Sequence, residues 1–136
     1  MPTPIVSENT IEHVVADGLV TPLPIYSHAT VHNGMVYVSC IQGFMPGTLD
    51  FPSTDGADQA TQVLANLKLV LEQAGSSLAR VLKITVLMTD MTDFPRINDA
   101  INEAFPSDPP ARSSIAVTEL PKDAKVAIEA IAATNI

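Results

Sequence analysis

The chain has 136 residues, 46% of them apolar and only 16% charged, with a formal net charge of −8. That length is one domain's worth and can bury a core without staples, and a single cysteine, Cys40, excludes an internal disulfide. The negative charge argues against nucleic-acid backbones and anionic membranes as partners, and so little charge for so much apolar surface predicts an oligomer.

Residues 1–10, MPTPIVSENT, carry neither the basic start and apolar core of a signal peptide nor the arginines of a transit peptide. No apolar run reaches membrane-spanning length. These features predict a cytoplasmic protein. The stretch DGLVTPLPIY at residues 17–26 holds two prolines and a glycine and predicts a loop or extended edge. In VHNGMVYVSC, Asn33-Gly34 predicts a hairpin turn and Met35 to Cys40 a strand. A long Gly- and Pro-punctuated loop, IQGFMPGTLDFPSTDG, follows.

From Ala57 to Ala74 the period becomes helical. Val63, Leu64, Leu67, Val70, Leu71 and Ala74 share one face, and Gly75 is the stop. The next segment, SLARVLKITVLMTDM, reads as a long strand. Leu82, Ile84, Val86 and Met88 form its apolar face, and Val81, Lys83, Thr85 and Leu87 a mixed one. Asp93 is placed to cap a second helix with Pro95 in its first turn and Ile97, Ala100, Ile101 and Ala104 as its stripe. Ala111 to Thr118 and Lys125 to Ala132 read as the last strands, joined by a turn at LPKD. The order is ββαβαββ in one α+β domain spanning residues 1–136: a mixed sheet with two helices on one face. The other face, mixed in character, is expected to be covered by further subunits.

The chemistry concentrates in DPPARSSIAV. Only three arginines and four lysines are present, and Arg112 stands where two prolines fix an extended backbone ahead of an apolar strand. A guanidinium there either grips an anion with its bidentate fork or pairs with a neighbouring Asp or Glu. Cys40 is either a packed thiol or, were His28 beside it, a nucleophile. Glu119 is either a solvated turn residue or a group projecting into a neighbour's cleft. Three scattered histidines, with His13 and His32 at surface or edge positions, and one cysteine have no metal-ligand spacing, so no metal site is expected.

IYSHAT, GMVYVS, the run from QATQVLANL to INEAF, PPARSSIAV and LPKDAKVAIEAIA occur in the order seen in the reactive intermediate deaminase family, also called RidA or YjgF. The resemblance runs from about Tyr26 to Ala132. It implies a fold like that of the small bacterial chorismate mutase, closed into a homotrimer with a central barrel and three inter-subunit clefts. It also implies hydrolysis of enamines and imines such as 2-aminoacrylate to keto acids and ammonia, without a cofactor. Carried over residue by residue, Arg112 holds the substrate carboxylate, and Tyr26, Ser39 and Ser114 match cleft positions. His28, in a string common in the family, takes a structural role.

Two positions depart from that pattern. The family's water-positioning glutamate, in the block Lys-Ile-Glu-Ile-Glu-Ala-Ile-Ala, is replaced by Ala127, whose methyl cannot orient water. Glu129 matches the second glutamate on the same strand face, roughly 6–7 Å further along. The family's Ser-Gly-Gln reads Ser39-Cys40-Ile41, which narrows the cleft or changes its chemistry and lowers its polarity. The expected function is hydrolysis of a reactive imino or enamino carboxylate, larger or less polar than aminoacrylate. Arg112 would anchor it, backbone near Ser39 and Cys40 would polarise the reacting centre, and Glu119, Glu129 or Tyr26 would handle water. The alternatives are a non-catalytic trimer that binds a 2-keto acid and, against the charge, a ribonuclease.

Overall fold

The computed structural model describes residues 10–20 and 26–135. Residues 1–9 and residues 21–25, half of the Pro-rich loop, therefore lie outside the described residues. Eight elements follow in chain order: β1 (Glu12–Val14), β2 (Ala29–His32), β3 (Met35–Gln42), α1 (Gly56–Gln73), β4 (Val81–Met88), α2 (Phe94–Ala104), β5 (Ala111–Ala116) and β6 (Val126–Ala133). The expected α+β order holds, with β1 added at the start. Its three residues form a strand only because β2 pairs with them, Glu12 opposite Val31 and Val14 opposite Ala29.

The sheet order is β1-β2-β3-β6-β4-β5. Only β4 and β5 run parallel; the other pairs are antiparallel. The last two strands are not neighbours. β6 enters the middle of the sheet, and β5 lies on its far edge.

The β2–β3 hairpin turns on Asn33 and Gly34, both with positive φ, as their pairing predicts. α1 starts at Asp55, whose carboxylate accepts from the Asp58 N–H, and Arg96 of α2 also pairs with Asp55. α1 ends where Gly75 turns left-handed at φ +82°, letting the Ser76 N–H reach the Leu71 carbonyl at 2.8 Å. The expected stripe of α1 joins Ile97 and Ile101 of α2 and Val36, Ile84, Val86, Ile128 and Ala132 of the sheet in one core. Both helices thus cover one sheet face.

Two details differ from expectation. Asp93 makes no side-chain cap for α2; Asp90 accepts from the Thr92 N–H instead and closes a short 3-10 turn ahead of the helix. Leu82 is 51% exposed while Val81 is buried. A register shift between Val81 and Lys83 against β6 inserts one extra residue, and side-chain alternation slips by one there.

The open sheet face and the far edge carry exposed apolar groups. Tyr37 and Ile115 are each 47% exposed. Every residue of β5 except Ser114 is exposed.

Candidate functional site

The site begins with an irregularity in β3. Between Val38 and Ile41 the register against β6 slips: Val38 faces Ala130 and Ile41 faces Ile128. β3 spends three steps where β6 spends two, so Ser39 and Cys40 form a bulge opposite Glu129. Val38 and Ile41 therefore both turn into the core. Bulges of this kind re-aim side chains at strand ends, often beside active sites.

A cavity of about 670 Å³ opens at that end of the sheet. Among the described residues its walls come from the segment before β2 (Leu19, Val20, Tyr26, His28) and the end of β3 (Ser39, Cys40, Ile41, Gln42). The following loop adds Phe44 and Leu49, α1 adds Asn66, and the turn before β6 adds Pro121 and Lys122. Three contacts shape it. Gly43 passes so close to α1 that a Cβ there would sit 2.5 Å from the Gln59 carbonyl oxygen. Asn66 donates from Nδ2 to the carbonyls of Gln42 and Phe44, at 3.0 and 2.9 Å. Phe44 stacks on Phe51 at 4.7 Å, closing the loop on itself.

The polar wall groups are largely committed to the backbone. The Ala16 N–H donates to His28 Nδ1 at 2.8 Å, which leaves Nε2 as the protonated nitrogen facing the Val20 carbonyl at 3.2 Å. Burial holds the His28 pKa below its ordinary value. With both nitrogens engaged, His28 is no base for Cys40, which removes the Cys–His reading. The thiol itself is pushed up to about 11, first by burial and then by the negative charge of Glu129. A thiol so shifted stays protonated near neutrality and is a poor nucleophile. Ser39 Oγ donates to the Ser27 carbonyl at 2.5 Å.

The remaining candidates lie elsewhere. Glu119 lines a shallow groove that shares Pro121 and Lys122 with the cavity. Glu129 faces the open side of the sheet, in a separate cleft of about 230 Å³ with Tyr37, Lys83 and Thr85. Ala127 is fully buried in register between Gln42 and Leu87. Arg112 and Ser114 are in register with Ile84 and Val86 and so share the helix-covered face, but on edge strand β5. β6 and β4 separate that strand from β3. Arg112 forms no ion pair among the described residues; its guanidinium lies 5.8 Å from the Phe94 ring centroid. Tyr26, Ser39 and Cys40 thus come together, while Arg112, Ser114 and Glu129 do not join them within one chain. Among the described residues no cluster of three or more His, Cys, Asp or Glu is suited to a metal. No helix among them is long and apolar enough to cross a membrane.

Lys122, Asn66, Phe44 and Leu49 were not singled out in the sequence. Lys122 alone had a local signal: it stands in the LPKD turn, which folds with Lys122 and Asp123 both at positive φ. That geometry sets the lysine at the rim of the cavity.

A mixed sheet backed by two helices on one face, with a bulged strand end beside an open cavity, is the chorismate-mutase-like class of α+β fold. The family model described as Endoribonuclease L-PSP matches residues 19–134, and the chain belongs to that family, which includes the RidA and YjgF proteins. A relative from Dermatophagoides farinae named 2-iminobutanoate/2-iminopropanoate deaminase is 39% identical over 110 residues, 81% of this chain and 86% of that one. Reactive Intermediate Deaminase A, chloroplastic, of Arabidopsis thaliana is 38% identical over 107 residues; the match covers 79% of this chain and 57% of the plant protein. Among solved structures, a putative endoribonuclease L-PSP from Entamoeba histolytica superposes with a TM-score of 0.87 at 40% identity, covering 91% of this chain and 99% of that one. The E. coli YjgF gene product gives 0.84 at 32%, covering 90% and 98%.

Proposed function

We propose that this chain hydrolyses 2-imino carboxylates, R–C(=NH)–COO⁻, in a cleft that one copy supplies with the cavity and another with Arg112. Water adds to the imine carbon, protons pass to nitrogen, and the C–N bond breaks to give the 2-keto acid and ammonia. The carrying observation is the separation of Arg112, on edge strand β5, from the cavity at the end of β3, with β6 and β4 between them within one chain. An unpaired guanidinium on an exposed edge strand suits capture of a carboxylate held by a neighbouring copy. The exposed apolar side chains Tyr37, Leu82 and Ile115 suit burial between copies, and a homotrimer is the assembly proposed.

The chemistry needs no cofactor. Arg112 fixes the carboxylate, and Ser114 on the same face stands beside it. Backbone at the Ser39–Cys40 bulge polarises the imine carbon. Water is held by the Tyr26 hydroxyl, with Glu119 in the adjoining groove as a carboxylate at the shared rim; Glu129 faces the other side of the sheet.

The test is ammonia release from imines generated in place, comparing wild type, Arg112→Ala and Tyr26→Phe. Turnover lost in Arg112→Ala with unchanged assembly is the expected result. A mixture of Arg112→Ala and Tyr26→Ala chains, co-assembled, should regain part of the activity if the cleft is shared. Wild type that binds 2-keto acids and releases no ammonia would replace hydrolysis with a second reading, a trimeric binder of small carboxylates. One observation favours that alternative: no carboxylate lines the cavity among the described residues.

A further inference from the structure

The walls of the cavity carry an inference about what enters it, which rests on the imine-hydrolase reading and sharpens it. Of the polar side chains that line the cavity, three have their hydrogen-bonding groups committed within the chain, while Tyr26 and Gln42 make no side-chain hydrogen bond among the described residues. Both His28 nitrogens meet backbone. Ser39 Oγ is held by the Ser27 carbonyl. Asn66 spends Nδ2 on two carbonyls, and its Oδ1 accepts from Gln62. Most of what remains facing the space is hydrocarbon, from Leu19, Val20, Ile41, Phe44 and Leu49, with the Tyr26 hydroxyl and the Gln42 amide as the exceptions. The one cation of the lining, Lys122, is at the rim and has no ion-pair partner among the described residues.

That distribution orients a ligand. An anionic head is favoured at the mouth, near Lys122 and the incoming Arg112. It is disfavoured along the apolar walls, where Leu19, Ile41, Phe44 and Leu49 would not replace its water. Size points the same way. A cavity of about 670 Å³ lies in the range that buries molecules much larger than a three-carbon acid. A short substrate would leave water against apolar walls, whereas an apolar chain would displace it.

We infer that the substrate is a 2-imino carboxylate with an apolar side chain of four or more carbons, its carboxylate at the Lys122 rim and its side chain along Ile41, Phe44 and Leu49. Ile41 and Leu49 are then specificity-determining residues, and Lys122 acts on the head group alone.

Two measurements on the full chain test this. The first is calorimetric binding of the 2-keto acid series pyruvate, 2-oxobutanoate, 4-methyl-2-oxopentanoate and phenylpyruvate. The second is turnover of the imines made in place by an amino-acid oxidase from alanine, 2-aminobutanoate, leucine and phenylalanine. Affinity and kcat/KM should rise about fourfold per added methylene, on the order of fifty-fold from a methyl to an isobutyl side chain. Leu49→Ser, at a half-exposed position that folding tolerates, should cut the long-to-short ratio several-fold. Lys122→Gln should weaken every acid alike and leave the ratio unchanged.

Affinity that is flat or falls along the series overturns the inference. Flat affinity with turnover confined to the alanine-derived imine overturns it while leaving the hydrolase reading intact. Affinity that rises steeply with no turnover of any imine supports the ligand class and overturns the hydrolase reading instead.

Discussion

The bulged end of β3 and the edge strand β5 use polar groups in opposite ways. Around the cavity, His28, Ser39 and Asn66 are committed to backbone partners within the chain. Along β5, nearly every residue is exposed, and Arg112 lies 5.8 Å from the Phe94 ring centroid with no ion pair among the described residues. The first region is finished as a piece of structure; the second is an open half-contact. The committed groups of the cavity wall should therefore respond to mutation through stability, and the edge through activity and assembly.

The sharpest way to break that contrast is Arg112→Ala. The expected loss is on the order of 100-fold in kcat/KM, from removal of a charge-assisted bidentate contact. The melting temperature should barely move, since the side chain is exposed and has no ion pair to lose. A large drop in melting temperature instead would make Arg112 structural.

The opposite signature is expected of Asn66→Leu. It orphans the carbonyls of Gln42 and Phe44 and should cost about 2–4 kcal/mol of stability, read from urea unfolding. Hydrogen exchange should quicken at the end of β3 and leave β4 and β5 unchanged. Ala127→Glu forces a carboxylate into a fully buried position and should cost about 1–3 kcal/mol. A stable variant would show that the strand can open to make room for the family glutamate.

Smaller still is the pH response of His28. Its folded pKa lies below the ordinary value of 6.5 because burial disfavours the imidazolium. Below that pH the unfolded chain binds more protons than the folded one, so stability falls as pH drops. The contribution is complete above about 6.5 and is lost progressively toward the folded pKa. Melting temperatures between pH 5 and 8 should show this slope in wild type and lose it in His28→Gln. Ser39→Ala should cost about 1 kcal/mol, the net worth of one hydrogen bond, measured the same way. If Ser39→Ala instead abolishes turnover at unchanged stability, the division between the two regions fails.

Much of the fold was legible because its signals are local. The stripe of α1 repeats over 18 residues, and Asn33-Gly34 accepts positive φ at both turn positions. What escaped was set by pairing at a distance. Leu82 alternates correctly with Ile84 in sequence, yet the bulge against β6 turns it outward. Asp93 precedes α2 as a cap would, but the 3-10 turn closed by Asp90 takes that task. Three residues of β1 carry no period long enough to read. The candidate site divides likewise. Tyr26, Ser39 and Cys40 could be matched to family motifs and do share a cavity. Asn66, Phe44 and Leu49 reach it from a helix and a loop whose approach depends on Gly43 lying against Gln59. No spacing in the sequence encodes that contact.

The central place of β6 bears on how the molecule is made. β3 and β4 are joined to each other only through it, so a nascent chain that has not yet delivered residues 126–133 holds two unzipped half-sheets, β1-β2-β3 and β4-β5. Each ends in a bare row of amides and carbonyls, on β3 and on β4, which is the template on which strands of other chains add. During synthesis the protein is therefore most prone to aggregate just before its last strand emerges. Slow translation of that final segment would lengthen the hazard, and a chaperone that shields strand edges would shorten it.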